Sequence, residues 1–220
     1  MRALLFDLDG TLTDTLPLVI ASLNAALAPV WGAPRSPSEI RRLFGPPEGR
    51  LIAQQAPDDP QAVERFYRYY RDHHQRIAKL FPGVRTMLST LVELGWPLGL
   101  VTNKGHRSTV ITLDQLGLRP FFPVIVDGDG LSRPKPAPEG IALALGRLGA
   151  APGDAAYIGD MPSDLAAARA AGAAGWCAGW SRPDEPAPDW DYVARKPDDV
   201  VQRCLWPQGC RPDDGAGGAL

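Results

Sequence analysis

Short, wholly apolar runs separated by helix-period stretches constrain this chain more than any other feature. The first is 3–6 (Ala-Leu-Leu-Phe); others lie at 97–101, 123–126 and 155–158, with a weaker one at 174–177 preceded by Ala173. A run of this length without polar alternation is what a strand buried on both faces requires. Between the runs, Val84, Met87, Leu88, Leu91 and Val92 fall at i, i+3, i+4, i+7 and i+8, and Ile141, Leu145 and Leu148 at i, i+4 and i+7, so each segment has one apolar side at helical spacing. Gly95, Gly117, Gly149 and Gly172 stand near the ends of such stretches, where a left-handed residue stops a helix. Strand and helix in alternation predict an α/β fold: a Rossmann-like parallel sheet, joined by right-handed crossovers and flanked by helices.

The alternation stops once. From 15 to 80 no segment reads as a strand. Leu16, Val19, Leu23, Leu27 and Val30 trace one helical face there, and Val63, Phe66, Tyr67, Tyr70, His74 and Ile77 trace another. Gly45-Pro46-Pro47 forces a turn, because tandem prolines remove two backbone donors and restrict the residue ahead of each. The expectation is an inserted, all-helical domain at 15–80, hinged near 13–16 and 79–83, within a core made of 1–14 and 81–206. Asp14 is placed to cap the first helix of the insertion. Residues 207–220, rich in Pro, Gly and Asp with almost nothing to bury, read as a disordered tail.

Composition narrows the partners. Lys and Arg number 23 against 25 Asp and Glu, a net charge of −2, which gives no case for a nucleic-acid polymer or a membrane surface. No apolar run is long enough to cross a bilayer. Cys177, Cys204 and Cys210 are odd in number and lack the paired short spacing of a zinc site, which fits a reduced, cytoplasmic chain. Monomer and homodimer are both left open.

Chemistry-bearing residues gather where the runs end. In Asp7-Leu8-Asp9-Gly10-Thr11 two carboxylates project the same way from an extended segment, which costs several kcal/mol, on the order of 4, at close range unless a cation intervenes. Taken alone, this segment reads rather as a solvated Asp-rich turn after a strand. Other runs, however, end in Thr102-Asn103-Lys104-Gly105, in Gly128-Asp129 ahead of Lys135, and in Gly159-Asp160 followed by Asp164. Open parallel sheets bind ligands outside the carboxyl ends of their strands, so these groups converge on one edge. The hydroxyl of Thr102 and the N–H groups that follow it at a helix start form an expected phosphate cradle. Asp7, Asp9, Asp160 and Asp164 outnumber Lys135 and Lys104, an imbalance that oxygen-bound Mg²⁺ beside a substrate phosphate resolves.

These motifs, in this order over residues 3 to about 180, make the chain resemble the haloacid dehalogenase-like phosphohydrolases, nearest their phosphoglycolate phosphatase-like branch with a helical cap. The resemblance implies that Asp7 is the nucleophile and Asp9 the general acid and base. It implies that Thr102 and Lys135 hold and neutralise the phosphoryl group, with Thr11 and Asn103 on the substrate side. Mg²⁺ is then held by Asp7, the Asp9 carbonyl and Asp160, and Asp164 orients Lys135 or a metal-bound water. In the cap, Arg41, Gly45 and Arg50 fall where relatives place a substrate-facing loop; a solvated helix face accounts for the arginines equally well. The implied activity is hydrolysis of a small phosphorylated metabolite: phosphoglycolate-like, a sugar phosphate or a nucleotide. A phosphomutase of the same fold and a non-catalytic binding module are the alternatives. Asp9 disfavours dehalogenation, Thr11 stands where phosphoglucomutases commonly carry a branched apolar residue, and Asp127-Gly-Asp-Gly130 departs from the family's Gly-Gly-Asp. His73, His74 and His106, and the group Tyr67, Tyr69 and Tyr70, read as packing or surface residues.

Overall fold

A computed structural model of the protein describes residues 3–187 and 189–205. The expected tail at 207–220, with Cys210, lies outside them. In chain order the strands are β1 (Ala3–Phe6), β2 (Thr13–Asp14), β3 (Lys79–Leu80), β4 (Leu98–Val101), β5 (Val124–Val126), β6 (Ala155–Gly159), β7 (Ala174–Ala178) and β8 (Tyr192–Ala194). The helices are α1 (Leu16–Trp31), α2 (Pro37–Arg41), α3 (Glu48–Gln55), α4 (Ala62–Ile77), α5 (Val84–Glu93), α6 (His106–Gln115), α7 (Glu139–Leu148), α8 (Pro162–Ala171) and α9 (Pro197–Leu205).

Six strands form one parallel sheet in the order β5-β4-β1-β6-β7-β8, the α/β arrangement that the alternation predicts. β1 is central, pairing Leu5 with Gly99 on one side and with Tyr157 on the other. Alternation along it feeds two cores. Leu4 and Phe6 pack with Val84, Met87, Leu88 and Leu91 of α5 and Val200, Val201 and Cys204 of α9. Ala3 and Leu5 pack with Ile141, Ala144 and Leu145 of α7 and Ala167 and Ala168 of α8. Fully burying one such Leu contributes about 1.5–3 kcal/mol, so both faces of the run are used. Gly149 and Gly172 end α7 and α8 in the left-handed conformation, as expected.

Two elements exceed the reading from sequence. β8 extends the sheet beyond β7, pairing Trp176 with Tyr192, and α9 follows it. β8 has only three residues and Tyr192 and Val193 are half-buried, too short and too mixed for a periodicity to show. The helical insertion is also not free of strand. β2 and β3 pair antiparallel where it leaves and rejoins the core, Thr13 with Leu80 and Asp14 with Lys79, at the positions expected to act as hinges. Asp14 accordingly sits in β2, exposed, and does not cap α1; Thr15 takes the N-cap position and sends its hydroxyl to Asp9 instead.

Helices α1 to α4 enclose an apolar cluster of their own, Leu18, Leu23, Ala26 and Leu27 against Ile40, Leu51, Ile52, Phe66, Tyr67 and Tyr70. Tyr67 and Tyr70 are thus packing residues, and Tyr69 stacks on His73, ring centroids 3.8 Å apart. His74 is fully buried against Tyr70 and reaches Thr112 of α6 through Nε2, 3.2 Å away. Cys177 is a free thiol, and both it and Cys204 are buried.

Candidate active site

The site forms where β1, β4 and β6 end side by side. Past Phe6 the backbone continues β pairing for one residue, Asp7 N–H donating to the Ile158 carbonyl at 2.9 Å, and then turns through Gly10 at φ +84°. Gly10 is required twice over, because its backbone is left-handed and a Cβ there would sit 2.6 Å from Asp160 Oδ2. The close approach of these two loops places Asp160 beside Asp7.

Lys135 organises the acids. Its ammonium lies 2.8 Å from Asp7 Oδ1, 2.6 Å from Asp164 Oδ1 and 2.7 Å from the Tyr157 hydroxyl, which itself donates to the Val101 carbonyl at 2.8 Å. Asn103 holds the lysine's main chain at both ends, accepting from Lys135 N–H at 2.8 Å and donating to Lys135 C=O at 3.0 Å. Both ends of the Asn103 carboxamide are therefore engaged within the protein. The remaining oxygen of Asp164 accepts from the N–H groups of Asp160 and Met161 at 3.2 and 2.9 Å, so Asp164 fixes the β6 loop and Lys135 together. Thr11 is fully buried and donates to Asp160 Oδ1 at 3.3 Å. Thr102 is buried, with its hydroxyl oxygen accepting from Lys104 N–H at 3.3 Å.

Burial sets the protonation chemistry. It pushes Asp7 up to about 6, an effect that Lys135 offsets only in part, and pushes Asp160 up to about 7, reinforced by Asp7 and Asp164 and opposed by Arg182. Burial works against the charge on Lys135, but Asp164 and Asp7 outweigh it and hold the ammonium above the usual lysine range. Carboxylate oxygens of Asp7, Asp160 and Asp164 lie within 4.8 Å of one another. Against these three acids stand Lys135 and Arg182, whose Nε is 3.1 Å from Asp160 Oδ2. An all-oxygen donor set left with excess negative charge fits a hard divalent cation such as Mg²⁺.

The second half of the site surrounds Asp9. Its two oxygens accept from the Thr15 hydroxyl and from Lys104, whose ammonium is 2.9 Å away. The same ammonium lies 3.2 Å from Glu48, the first residue of α3. Glu48 also accepts from Gly105 N–H at 2.7 Å and from the Ser108 hydroxyl at 2.8 Å, while Asp129 accepts from His106 N–H at 2.8 Å. The cradle expected after Thr102 is therefore filled by the protein's own groups: Thr102 takes the N–H of Lys104, and two carboxylates take those of Gly105 and His106. A helix N-terminus accepts whichever anion the fold brings to it. His106 is an exposed helix-start residue, its Nδ1 2.7 Å from Asp127. Arg41, Gly45 and Arg50 are exposed on α2, the following loop and α3, and the two arginine side chains make no hydrogen bond or ion pair among the described residues. Glu48, Tyr157, Thr15 and Arg182 escaped the reading from sequence. Only Tyr157 had a signal, a hydroxyl inside an apolar run.

A family model described as haloacid dehalogenase-like hydrolase matches residues 4–176. The chain belongs to the haloacid dehalogenase-like hydrolases. Within that family it is 36% identical over 194 residues to a phosphoglycolate phosphatase of Chromobacterium violaceum, covering 84% of this chain and 87% of the relative. It is 34% identical over 188 residues to pyrophosphatase PpaX of Bacillus pumilus, covering 85% and 87%. The fold of this hydrolase superposes on CbbY from Rhodobacter sphaeroides, solved in complex with phosphate, with a TM-score of 0.79 at 22% identity over 91% of this chain and 96% of that one. No helix among the described residues is long and apolar enough to cross a membrane.

Proposed function

We propose that this hydrolase is a Mg²⁺-dependent phosphatase of a small phosphorylated metabolite, working through an aspartyl-phosphate on Asp7. The observation that carries the reading is Lys135, 2.8 Å from Asp7 Oδ1 in a buried cluster shared with Asp160 and Asp164. An oxygen of Asp7 attacks phosphorus, the bond to the ester oxygen breaks, and Asp9 gives its proton to the departing alkoxide. Asp9, then a carboxylate, takes a proton from the water that attacks the aspartyl-phosphate, releasing inorganic phosphate and restoring Asp7. Lys135 offsets charge on Asp7 and on the phosphoryl oxygens, and the Thr102 hydroxyl donates to that group. Asp7, the Asp9 carbonyl and Asp160 are the groups that would hold Mg²⁺, which when bound neutralises charge at the phosphoryl group. Asp164 and Asn103 keep Lys135 in place, and Thr11 keeps Asp160 in place.

On this reading residues 15–80 are a cap over the core of 1–14 and 81–206, excluding water during transfer, with Arg41, Gly45 and Arg50 meeting the part of the substrate that is not transferred. The names of the relatives favour 2-phosphoglycolate, with sugar phosphates and nucleotides as the next classes. The test is phosphate release from a panel of esters with Mg²⁺ present. Asp7→Asn should abolish turnover, a loss of at least about 10³-fold, with an unchanged circular dichroism spectrum, and chelation should stop the wild type reversibly. Full activity in chelator would refute the metal assignment, and isomerised ester without free phosphate would replace hydrolysis by a mutase reaction.

A further inference from the structure

We propose that Lys104 is a positioning residue for Asp9, and that Glu48 of the helical insertion locks it in that role. The inference rests on the reading of Asp9 as the acid that protonates the leaving group. The Lys104 side chain is 1% exposed and its ammonium has three partners: Asp9 Oδ2 at 2.9 Å, Glu48 Oε1 at 3.2 Å and the face of Tyr70, 4.8 Å to the ring centroid. Burial opposes its charge, but Asp9, Tyr70 and Glu48 outweigh that and hold it above the usual lysine range. A lysine this deep has no water to replace a lost partner, so its position is set by the acids it joins.

Asp9 is gripped at both oxygens, by Lys104 and by Thr15, and that fixes the plane of its carboxylate. Glu48 in turn has little freedom. It is 7% exposed and anchored to α6 through Gly105 N–H and the Ser108 hydroxyl as well as through Lys104. Glu48 comes from the insertion, whereas Lys104, Gly105 and Ser108 come from the sheet-and-helix core. The seating of α3 on α6 therefore reaches Asp9 through one buried ammonium. General acid catalysis contributes about 10²–10⁴-fold and depends on geometry at the ångström level, so loosening this grip should cost rate where protonation of the leaving group matters.

The test compares kcat/KM for phenyl phosphate, whose leaving group needs a proton, with dinitrophenyl phosphate, whose leaving group does not. Asp9→Asn should lower the first by about 10²-fold or more and the second by less than about tenfold. Lys104→Met should show the same signature at about 10–100-fold on phenyl phosphate, and should add nothing in the Asp9→Asn background. Glu48→Gln, which keeps one acceptor oxygen for the Gly105 N–H, should lose less than Glu48→Ala. Because Lys104→Met leaves two acids without their cation, Lys104→Met/Glu48→Gln is measured beside it and removes both charges of the buried pair. Equal losses on both esters, or additive losses with Asp9→Asn, would overturn the positioning role while leaving the role of Asp9 standing. Absence of the signature in Asp9→Asn itself would remove the acid role, and the inference with it.

Discussion

Lys135 keeps its charge in a place that water scarcely reaches, and the cost is met by Asp7, Asp164 and the Tyr157 hydroxyl. The tyrosine matters because it is the neutral partner: it takes one ammonium hydrogen and passes its own to the Val101 carbonyl, tying the lysine to the end of β4. Tyr157→Phe should leave that carbonyl and one ammonium hydrogen unpaired in the interior, lowering stability by about 1–3 kcal/mol in chemical denaturation and kcat/KM by about tenfold. An unchanged kcat/KM would show that the two acids suffice to place the lysine. At this scale the acids and Lys135 were legible in the sequence, because carboxylates at several run ends have few structural uses. Tyr157 and Glu48 were not. A hydroxyl inside an apolar run signals a polar neighbour without naming Lys135, and a glutamate after Gly-Pro-Pro declares nothing until another segment supplies Lys104.

Among the elements, α4 is the one whose packing answers to pH. Its His74 is fully buried where α4 meets α6, and burial, reinforced by Lys104, lowers its pKa to about 4. Exposed in the unfolded chain, the same side chain titrates near its ordinary value of 6.5. Unfolding therefore takes up a proton between those two values, so the stability that His74 contributes is complete above pH about 6.5 and is lost as pH falls toward 4. The loss reaches about 3 kcal/mol at most, from roughly 1.4 kcal/mol for each pKa unit. Guanidinium unfolding of the wild type and His74→Gln across that range should show the wild type losing more stability on acidification. Parallel curves would mean that His74 does not titrate in this way. Helix α4 itself was readable from Phe66, Tyr70 and His74 at helical spacing. The pairing of β2 with β3 was not, since two residues carry no period.

For the whole molecule, three buried acids, one from the end of β1 and two from the junction of β6 with α8, should make stability depend on a cation. Asp7 and Asp160 are raised to about 6 and about 7, so without metal the native state holds protons that the unfolded chain releases; that stabilisation is complete below about pH 4 and disappears as pH rises through 6 and 7. Mg²⁺ needs the ionised acids, and so should raise the midpoint of thermal unfolding more at pH 8 than at pH 5, with about 2.7 kcal/mol gained at a hundredfold excess over Kd. Equal shifts at both pH values, or none, would count against the Asp7–Asp160 site. By itself the sequence determined the α/β class, the helical insertion and the acids at the strand ends, because apolar period and strand-end polarity are local properties of a chain. Only the tertiary structure decided which groups meet across the loops: Asp164 and Tyr157 on Lys135, Lys104 between Asp9 and Glu48, Glu48 on the α6 amides that looked free for phosphate. Those pairings depend on how far β1, β4, β6 and α3 bring distant residues together, and close approach in space leaves no trace in the spacing along one strand or helix.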